Sequence, residues 1–169
     1  MSKLLHWVGI AFFVLMTACS KPDDNAPQNL SVIAADGQSV RHEWTVEVAD
    51  TMEKAYRGLM GRFSLSENAG MLFDVNIVPR DMGIAFWMKD TPISLDMLFA
   101  DENGVIFYIY ENAVPNDITP IMSPVRPAAV LEINGGQTER FGIQKGDIMH
   151  HPIFNNWLIY RISLYRNIY

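Results

Sequence analysis

The residues ISLDMLFADENGVIFYIYE, numbered 93–111, decide the fold class. Two runs rich in aliphatic and aromatic residues, 93–100 and 105–111, flank the four residues DENG at 101–104. An Asn-Gly pair, here Asn103-Gly104, readily adopts the backbone conformation that a tight hairpin turn requires. The stretch therefore predicts two adjacent antiparallel strands.

The strand-like pattern continues on both sides of this hairpin. Turn residues such as Asp36-Gly37 and Gly135-Gly136 separate further short runs, which lie at 30–35, 39–48, 70–73, 84–88, 129–134 and 148–149. The first two of these runs predict a second hairpin. Four prolines between 112 and 127 indicate an ordered loop. Together these features predict a mainly β, β-rich α+β fold, built as a small antiparallel barrel or sandwich.

One amphipathic helix interrupts the strands. Asp50 is the predicted N-cap, and Glu53 lies three residues later, as in a capping box. Apolar residues then recur at helical spacing until Gly61 ends the helix. These apolar residues are Met52, Ala55, Tyr56, Leu59 and Met60. A short helical turn is expected at 138–141.

Composition excludes several classes of function. The 169 residues, 49% of them hydrophobic, suit one globular domain, which we assign to 30–169. Thirteen Lys and Arg against 19 Asp and Glu, a net charge of −6, argue against a nucleic-acid partner, because such binding depends on cations that neutralise phosphates. The single cysteine, Cys19, cannot form an internal disulfide, a CxxC pair or a cysteine-rich zinc site. We expect no cofactor.

The amino terminus is predicted to be a signal peptide, residues 1–18. The uncharged run WVGIAFFVLMTA at 7–18 has 12 residues, fewer than the ~20 that a membrane-spanning helix needs. It ends at Met16-Thr17-Ala18-Cys19, which resembles the lipobox of bacterial lipoproteins. The alternatives are an ordinary secretory signal or a short hydrophobic helix of a cytosolic protein.

That resemblance implies that Cys19 is lipidated and anchors the chain to a membrane. Ser20 after the cysteine favours the outer membrane over the inner one, so we predict an envelope lipoprotein that faces the periplasm. Residues 19–29 contain two prolines and no large apolar side chain, and they predict a flexible tether.

Four blocks of the mature chain resemble the family called domain of unknown function 192. The blocks are RGLM at 57–60, GMLF at 70–73, FWMKDTPISLD at 86–96 and VLEINGG at 130–136. The resemblance covers about 44–149 and leaves 150–169 as an extension. Asp90 occupies a position where the family usually has Asn. The resemblance implies a compact β-rich fold with no established activity.

The predicted strand at 84–88 suggests a binding cleft at its end. Lys89, Thr91 and Asp96 would converge there beside Trp87, which combines an aromatic floor with a few polar groups. The simpler interpretation, which we favour, assigns Phe86, Trp87 and Met88 to the core. Asp96 has three open assignments: solvent, the cleft, or, preferred here, an ion pair with Arg57 or Arg62.

Arg57 and Arg62 are second-rank site candidates, because both lie in or near the resemblance. In a structural role, either would cap carbonyl groups or pair with a carboxylate. Glu132 lies between Leu131 and Ile133, and the alternation of a strand places it on the polar side.

We predict a binding module for a small molecule, a glycan or a protein partner. The alternative is a hydrolase or transferase that uses Asp96 or Glu132 with an arginine. It has little support, because the chain has no GxSxG nucleophile motif and its mature histidines show no catalytic spacing.

A second alternative is periplasmic copper binding by Met149, His150 and His151, which are ligand types that copper accepts. Adjacent histidines on a strand point to opposite faces, and this weakens the hypothesis. Residues 157–169 favour an added strand, with a membrane-surface helix or a partner-binding edge as the alternatives.

Overall fold

The computed structural model describes residues 26–154. Its strands are β1 Gln28–Ile33, β2 Val40–Ala49, β3 Ala69–Asp74, β4 Leu95–Ala100, β5 Ile106–Ala113, β6 Ala129–Asn134 and β7 Ile148–His150. Its helices are α1 Met52–Arg57 and α2 Gln137–Phe141, with short 3-10 turns at Val75–Ile77 and Pro152–Phe154. The predicted mainly β class is confirmed.

The seven strands form one curled sheet in the order β5-β4-β6-β3-β2-β1-β7. A bridge between Val105 and Ile148 joins β7 to the start of β5, so the two ends of the sheet approach each other. All strand pairs are antiparallel except β2 with β3. That pair is parallel because the connection between the two strands crosses over through α1.

The hairpin predicted from the DENG turn is confirmed. β4 pairs with β5, and Ala100 lies opposite Ile106. The Asp101 carboxylate accepts hydrogen bonds from the backbone amides of Asn103 and Val105, both at 2.9 Å. These bonds close the turn locally, which explains why four residues of sequence were sufficient to predict it.

The sheet carries a hydrophobic cluster on each side. The side that contains Trp44, Val46, Leu72 and Leu131, here called the Trp44 face, also packs against Phe154. The other side, called the Phe73 face, carries Phe73, Met97, Phe99 and Val130 and is covered by loop residues Leu59, Met88 and Ile121. Strand β4 is buried along its whole length, because both of its faces are covered.

The predicted strand at 84–88 is wrong. This segment makes one isolated bridge, in which Phe86 exchanges backbone hydrogen bonds of 2.9 and 2.8 Å with Ile121. Ile121 belongs to the proline-rich loop, so the two loop segments pair with each other and not with the sheet. The apolar residues at 84–88 therefore cover the Phe73 face of the sheet and do not add a strand to the sheet.

The predicted helix exists but is shorter. Thr51 is the N-cap, and its hydroxyl accepts from the amide of Lys54, while Asp50 forms an ion pair with the Lys54 ammonium group. The helix ends at Gly58, which has a φ of 47°, and the predicted end at Gly61 is wrong. No side chain within α1 is fully buried. The expected apolar stripe reaches the core in part: Leu59, just after the helix, is buried in it, and Ala55 packs partly buried against it.

The predicted tether is shorter than expected, because Gln28 and Asn29 already pair with Val46 and Thr45 in the sheet. None of the helices within 26–154 is long and apolar enough to cross a membrane. The predicted signal peptide 1–18, the lipidation site Cys19 and the predicted strand at 157–169 lie outside the described residues.

Candidate functional site

A cleft of about 340 Å³ lies between α1 and the loop 78–91, above the Phe73 face of the sheet. We call it the α1 cleft. Its lining is mainly apolar, and it comprises chiefly Met52, Ala55, Tyr56, Leu59, Phe73, Met82, Ile84, Phe86, Trp87, Leu95 and Glu132. Small-molecule sites in proteins begin at about this volume and are usually lined by apolar and aromatic side chains.

Two backbone features bring α1 close to the sheet and to the loop. Gly58 has a φ of 47°, and a Cβ there would lie 3.4 Å from the ring of Phe73. The amide of Gly61 donates to the carbonyl oxygen of Asp90 at 2.7 Å. Asp90 itself has a φ of 52°, a conformation that Asn and Asp tolerate better than most residues do. The Asp in place of the family's usual Asn therefore suits the backbone.

Trp87 lies at the rim of the cleft and is 42% exposed. Its ring packs edge-to-face with that of Tyr56, with the two ring centroids 6.3 Å apart. The core interpretation is therefore wrong for Trp87. The assignment to the core is correct for Met88, which is buried. Phe86 is partly buried and packs between the rings of Phe73 and Phe99.

Glu132 lies at the floor of the cleft and is only 4% exposed. It pairs in register with Met71 on β3 and Met97 on β4, so its side chain belongs to the Phe73 face. Its carboxyl group makes no hydrogen bond or ion pair with any residue within 26–154. Burial raises the pKa of Glu132 to about 8. The prediction that Glu132 lies on the polar side of its strand is wrong, because both faces of β6 are buried.

Asp96 is fully buried on the opposite side of the sheet. It pairs in register with Ile133, a residue of the Trp44 face. Its carboxylate accepts hydrogen bonds from the backbone amides of Asn112, Gly136 and Thr138 at 2.8, 3.1 and 2.8 Å. The predicted ion pair with an arginine is wrong, since backbone donors occupy the carboxylate.

The two arginine candidates have different roles. Arg57 lines the α1 cleft with an exposed side chain. Arg62 forms two hydrogen bonds with the carboxylate of Glu47, which lower the pKa of Glu47 and raise that of Arg62. Arg62 therefore has the structural role predicted as an alternative to ligand binding, an ion pair with a carboxylate.

Thr91 is buried, lines the cleft and donates its hydroxyl hydrogen to the carbonyl oxygen of Lys89. Lys89 itself is exposed and does not contribute to the lining. Of the seven predicted ligand-binding candidates, the structure thus brings together Trp87, Thr91, Arg57 and Glu132. It separates Lys89, Asp96 and Arg62 from them.

Sequence reasoning missed Met52, Tyr56 and Phe73 as parts of the site. The sequence pattern assigns Met52 and Tyr56 to the apolar stripe of a helix and Phe73 to a core strand, and neither assignment points to a binding site. The available signal was the placement of Tyr56 directly before the RGLM block of the resemblance.

The weak copper candidates do not converge on a free space. Met149 is buried in the core of the Trp44 face. His151 is buried too, and burial, followed by the nearby charge of His150, lowers its pKa to about 4. Within 26–154, no three His, Cys, Asp or Glu side chains are arranged to hold a metal ion.

The protein is thus a β-rich domain with one curled sheet and an apolar cleft beside a short helix. The chain belongs to the DUF192 family, described as an uncharacterized ACR, whose model matches residues 32–151. The predicted resemblance is confirmed, and it extends further towards the amino terminus than expected.

Two solved structures are similar to this chain. A protein of unknown function from Novosphingobium aromaticivorans DSM 12444 is 34% identical, with a TM-score of 0.67, over 74% of this chain and 85% of that one. A "putative transcription regulator" from Sinorhizobium meliloti 1021 is 36% identical, with a TM-score of 0.69, over 76% of this chain and 96% of that one. No curated protein matches the chain.

Proposed function

We propose that this protein is an envelope lipoprotein whose β domain binds a small molecule in the α1 cleft. The observation that carries the proposal is Glu132, a buried carboxyl group without a protein partner at the floor of an apolar cleft. Leaving a buried polar group unpaired costs about 1–3 kcal/mol. A ligand that pairs with Glu132 would recover that free energy on binding.

The lining favours a small molecule over a glycan. A glycan presents many hydroxyl groups, whereas the polar side chains of the cleft lining are few and the hydroxyl hydrogen of Thr91 is already donated. The exposed faces of Trp87 and Tyr56 at the rim suit an apolar or aromatic ligand. Neither the lining nor the net charge of −6 favours nucleic acid.

The proposed location rests on the lipobox-like sequence before Cys19. Sheet pairing begins at Gln28, so eight residues separate the anchor from β1. Eight extended residues span at most about 28 Å, which would hold the domain close to the periplasmic face of the outer membrane. Mass spectrometry of the native protein tests this proposal: an unmodified Cys19, or retention of residues 1–18, would refute it.

A thermal-shift screen of the full chain tests the binding function. We expect a compound at about 100 times its Kd to stabilise the folded state by roughly 2.7 kcal/mol. The screen should include sugars, metals, cell-wall fragments and small apolar molecules. Ala55→Phe, which places a ring in the cleft, should abolish the shift. A compound that stabilises Ala55→Phe as strongly as the natural protein would show that binding occurs elsewhere.

One observation favours a second function, catalysis by Glu132 as a general acid or base. A carboxyl group with a pKa of about 8 can hold or release a proton near neutral pH. Asp96 cannot be its partner because it lies on the opposite face of the sheet, so such an enzyme would depend on Glu132 and Arg57. Chemical conversion of a bound compound, lost in Glu132→Gln, would establish this alternative.

A further inference from the structure

The polar groups around Glu132 restrict the chemistry of a ligand in the α1 cleft, and the inference that follows rests on the proposed function. Arg57 lies at the cleft with its side chain exposed to water. Asp74 also lines the cleft, and its carboxylate accepts from the amide of Asn76 at 2.9 Å. The hydroxyl hydrogen of Thr91 is donated to Lys89. Among these groups, Glu132 is the one whose polar end is both buried and without a hydrogen-bond partner within residues 26–154.

Glu132 holds its proton at neutral pH, since burial without a charged partner disfavours the ionised form. A protonated carboxyl group presents an O–H donor and a carbonyl acceptor side by side. Its complement is a group that presents an acceptor and a donor at the same spacing, as a carboxamide does.

We propose that the α1 cleft binds small apolar molecules that carry one neutral head group with adjacent donor and acceptor atoms, a carboxamide being the simplest. The head group pairs with the carboxyl of Glu132 through two hydrogen bonds. The apolar body lies among Leu59, Phe73 and Phe86, and it extends towards the rim at Trp87.

Charged head groups fit this floor poorly. An ammonium ion would have to leave water for an apolar cleft, and it would gain a counter-charge only after Glu132 lost its proton. Arg57 and Asp74 at the same cleft carry opposite charges, so together they give neither an ammonium nor a carboxylate head group a net advantage. A carboxylate would suffer the same loss of hydration, and it has no donor for the carbonyl oxygen of Glu132.

Four compounds with one shared body test the inference: 3-phenylpropanamide, methyl 3-phenylpropanoate, 3-phenylpropylammonium and 3-phenylpropanoate. Their dissociation constants are measured by isothermal titration on the full chain at pH 6.5, where Glu132 is protonated. We expect the amide to bind about 10-fold more tightly than each of the other three, because only the amide satisfies both atoms of the carboxyl group.

Two variants at one position provide the matched control. Glu132→Gln retains a donor and an acceptor, so the preference for the amide over the ester should survive. Glu132→Leu offers neither, and the amide and ester should then bind within about twofold of each other. Circular dichroism shows whether each variant is folded. If Glu132→Leu does not fold, the ratio of the two dissociation constants, amide to ester, in the natural protein decides whether the head-group inference holds.

The possible failures are distinguishable. Tightest binding by the ammonium or the carboxylate, or an amide preference that survives in Glu132→Leu, would overturn the head-group inference and leave the cleft as a binding site. Equal binding of all four compounds would do the same. If none of the four binds to the natural protein, the head-group inference is refuted, and the thermal-shift screen then decides separately whether the cleft binds any small molecule.

Discussion

Two buried carboxyl groups lie on opposite faces of the same sheet and have opposite surroundings. Asp96, on the Trp44 side, accepts three backbone hydrogen bonds. Glu132, on the Phe73 side, has no partner among residues 26–154 and lines a cleft. Burial alone therefore does not define a site. The presence or absence of partners separates a group that stabilises the fold from one that is available to a ligand.

The bonds of Asp96 connect β4 to two other parts of the chain, the end of β5 and the start of α2. Asn112 lies near the end of β5, Gly136 precedes α2, and Thr138 lies in its first turn. Asn112 and Gly136 both have positive φ angles, 52° and 82°. The carboxylate thus holds two unusual backbone turns against β4. Within the described part of the chain, no comparable network surrounds Glu132, and side chains of α1 and the loop 78–91 close the Phe73 face there.

Loss of the Asp96 carboxylate should have the largest effect. Asp96→Ala leaves three backbone amides without their acceptor, and we expect the free energy of unfolding to fall by about 3–5 kcal/mol. Urea unfolding followed by circular dichroism measures this change. A loss below about 1 kcal/mol would mean that the carboxylate does not organise these turns.

Glu132→Leu should have the opposite sign. Replacing an unpaired buried carboxyl by an apolar side chain of similar size should raise the free energy of unfolding by about 1–2 kcal/mol at pH 7. The same urea titration checks the result, and binding of a neutral amide should weaken in parallel. Destabilisation of the variant would indicate that Glu132 makes a stabilising interaction and would end the comparison with Asp96.

The pH dependence of stability should distinguish the same two acids. Glu132 binds its proton more tightly in the folded chain, with a pKa of about 8, than in the unfolded chain, where the ordinary value is 4.5. Its contribution is therefore complete below pH 4.5 and is lost as the pH rises through 8. Between pH 6.5 and 8 we expect the free energy of unfolding to fall by about 1.5 kcal/mol.

Glu132→Gln is the control for that pH effect, because its side chain does not titrate and should remove the fall. His151 acts in a different window: its folded pKa of about 4 lies below the ordinary 6.5, so its contribution is lost as the pH falls from 6.5 towards 4. Between pH 6.5 and 8 the His151 contribution changes by only about 0.4 kcal/mol and in the opposite direction, because half of its unfolded-state titration lies above pH 6.5. An unchanged slope in Glu132→Gln would assign the titration to another group.

The smallest effect on stability is expected for Trp87. Because this ring is 42% exposed, Trp87→Ala should change the free energy of unfolding by about 0.5 kcal/mol while weakening ligand binding. Trp44, fully packed on the other face with its indole nitrogen donating to Gln137, provides the contrast. Trp44→Ala should cost about 3–5 kcal/mol. Equal losses for the two variants would show that Trp87 is also a core residue.

Local sequence features predicted the elements whose causes are local. The Asn103-Gly104 turn, both hairpins, β6 and the short α2 all follow from turn chemistry and alternation within a few residues. The caps of α1 were misplaced by one and three residues, because Thr51 competes with Asp50 and Gly58 with Gly61 for the same roles. Such competition is decided by small differences in backbone geometry.

The site was only half predictable. Trp87 and Thr91 were found because they belong to an unusual block of sequence, and Glu132 because it interrupts an apolar run. Their mutual position was not predictable, since loop 78–91 reaches α1 through contacts between residues distant in sequence, such as the bond between Gly61 and Asp90. The predicted strand at 84–88 failed for the same reason: its continuous apolar run fits a covering loop as well as a buried sheet strand.

The amino-acid sequence was sufficient to predict most strands, the DENG turn, the family and the alternation that separates Glu132 from Leu131 and Ile133. The burial of both faces of β6 became evident only from the three-dimensional packing. Alternation specifies which side chains share a face, because successive residues of a strand point in opposite directions. Whether that face meets water, a second layer or a cleft depends on which distant segments cover it, and here α1 and loop 78–91 cover Glu132 while leaving space beside it.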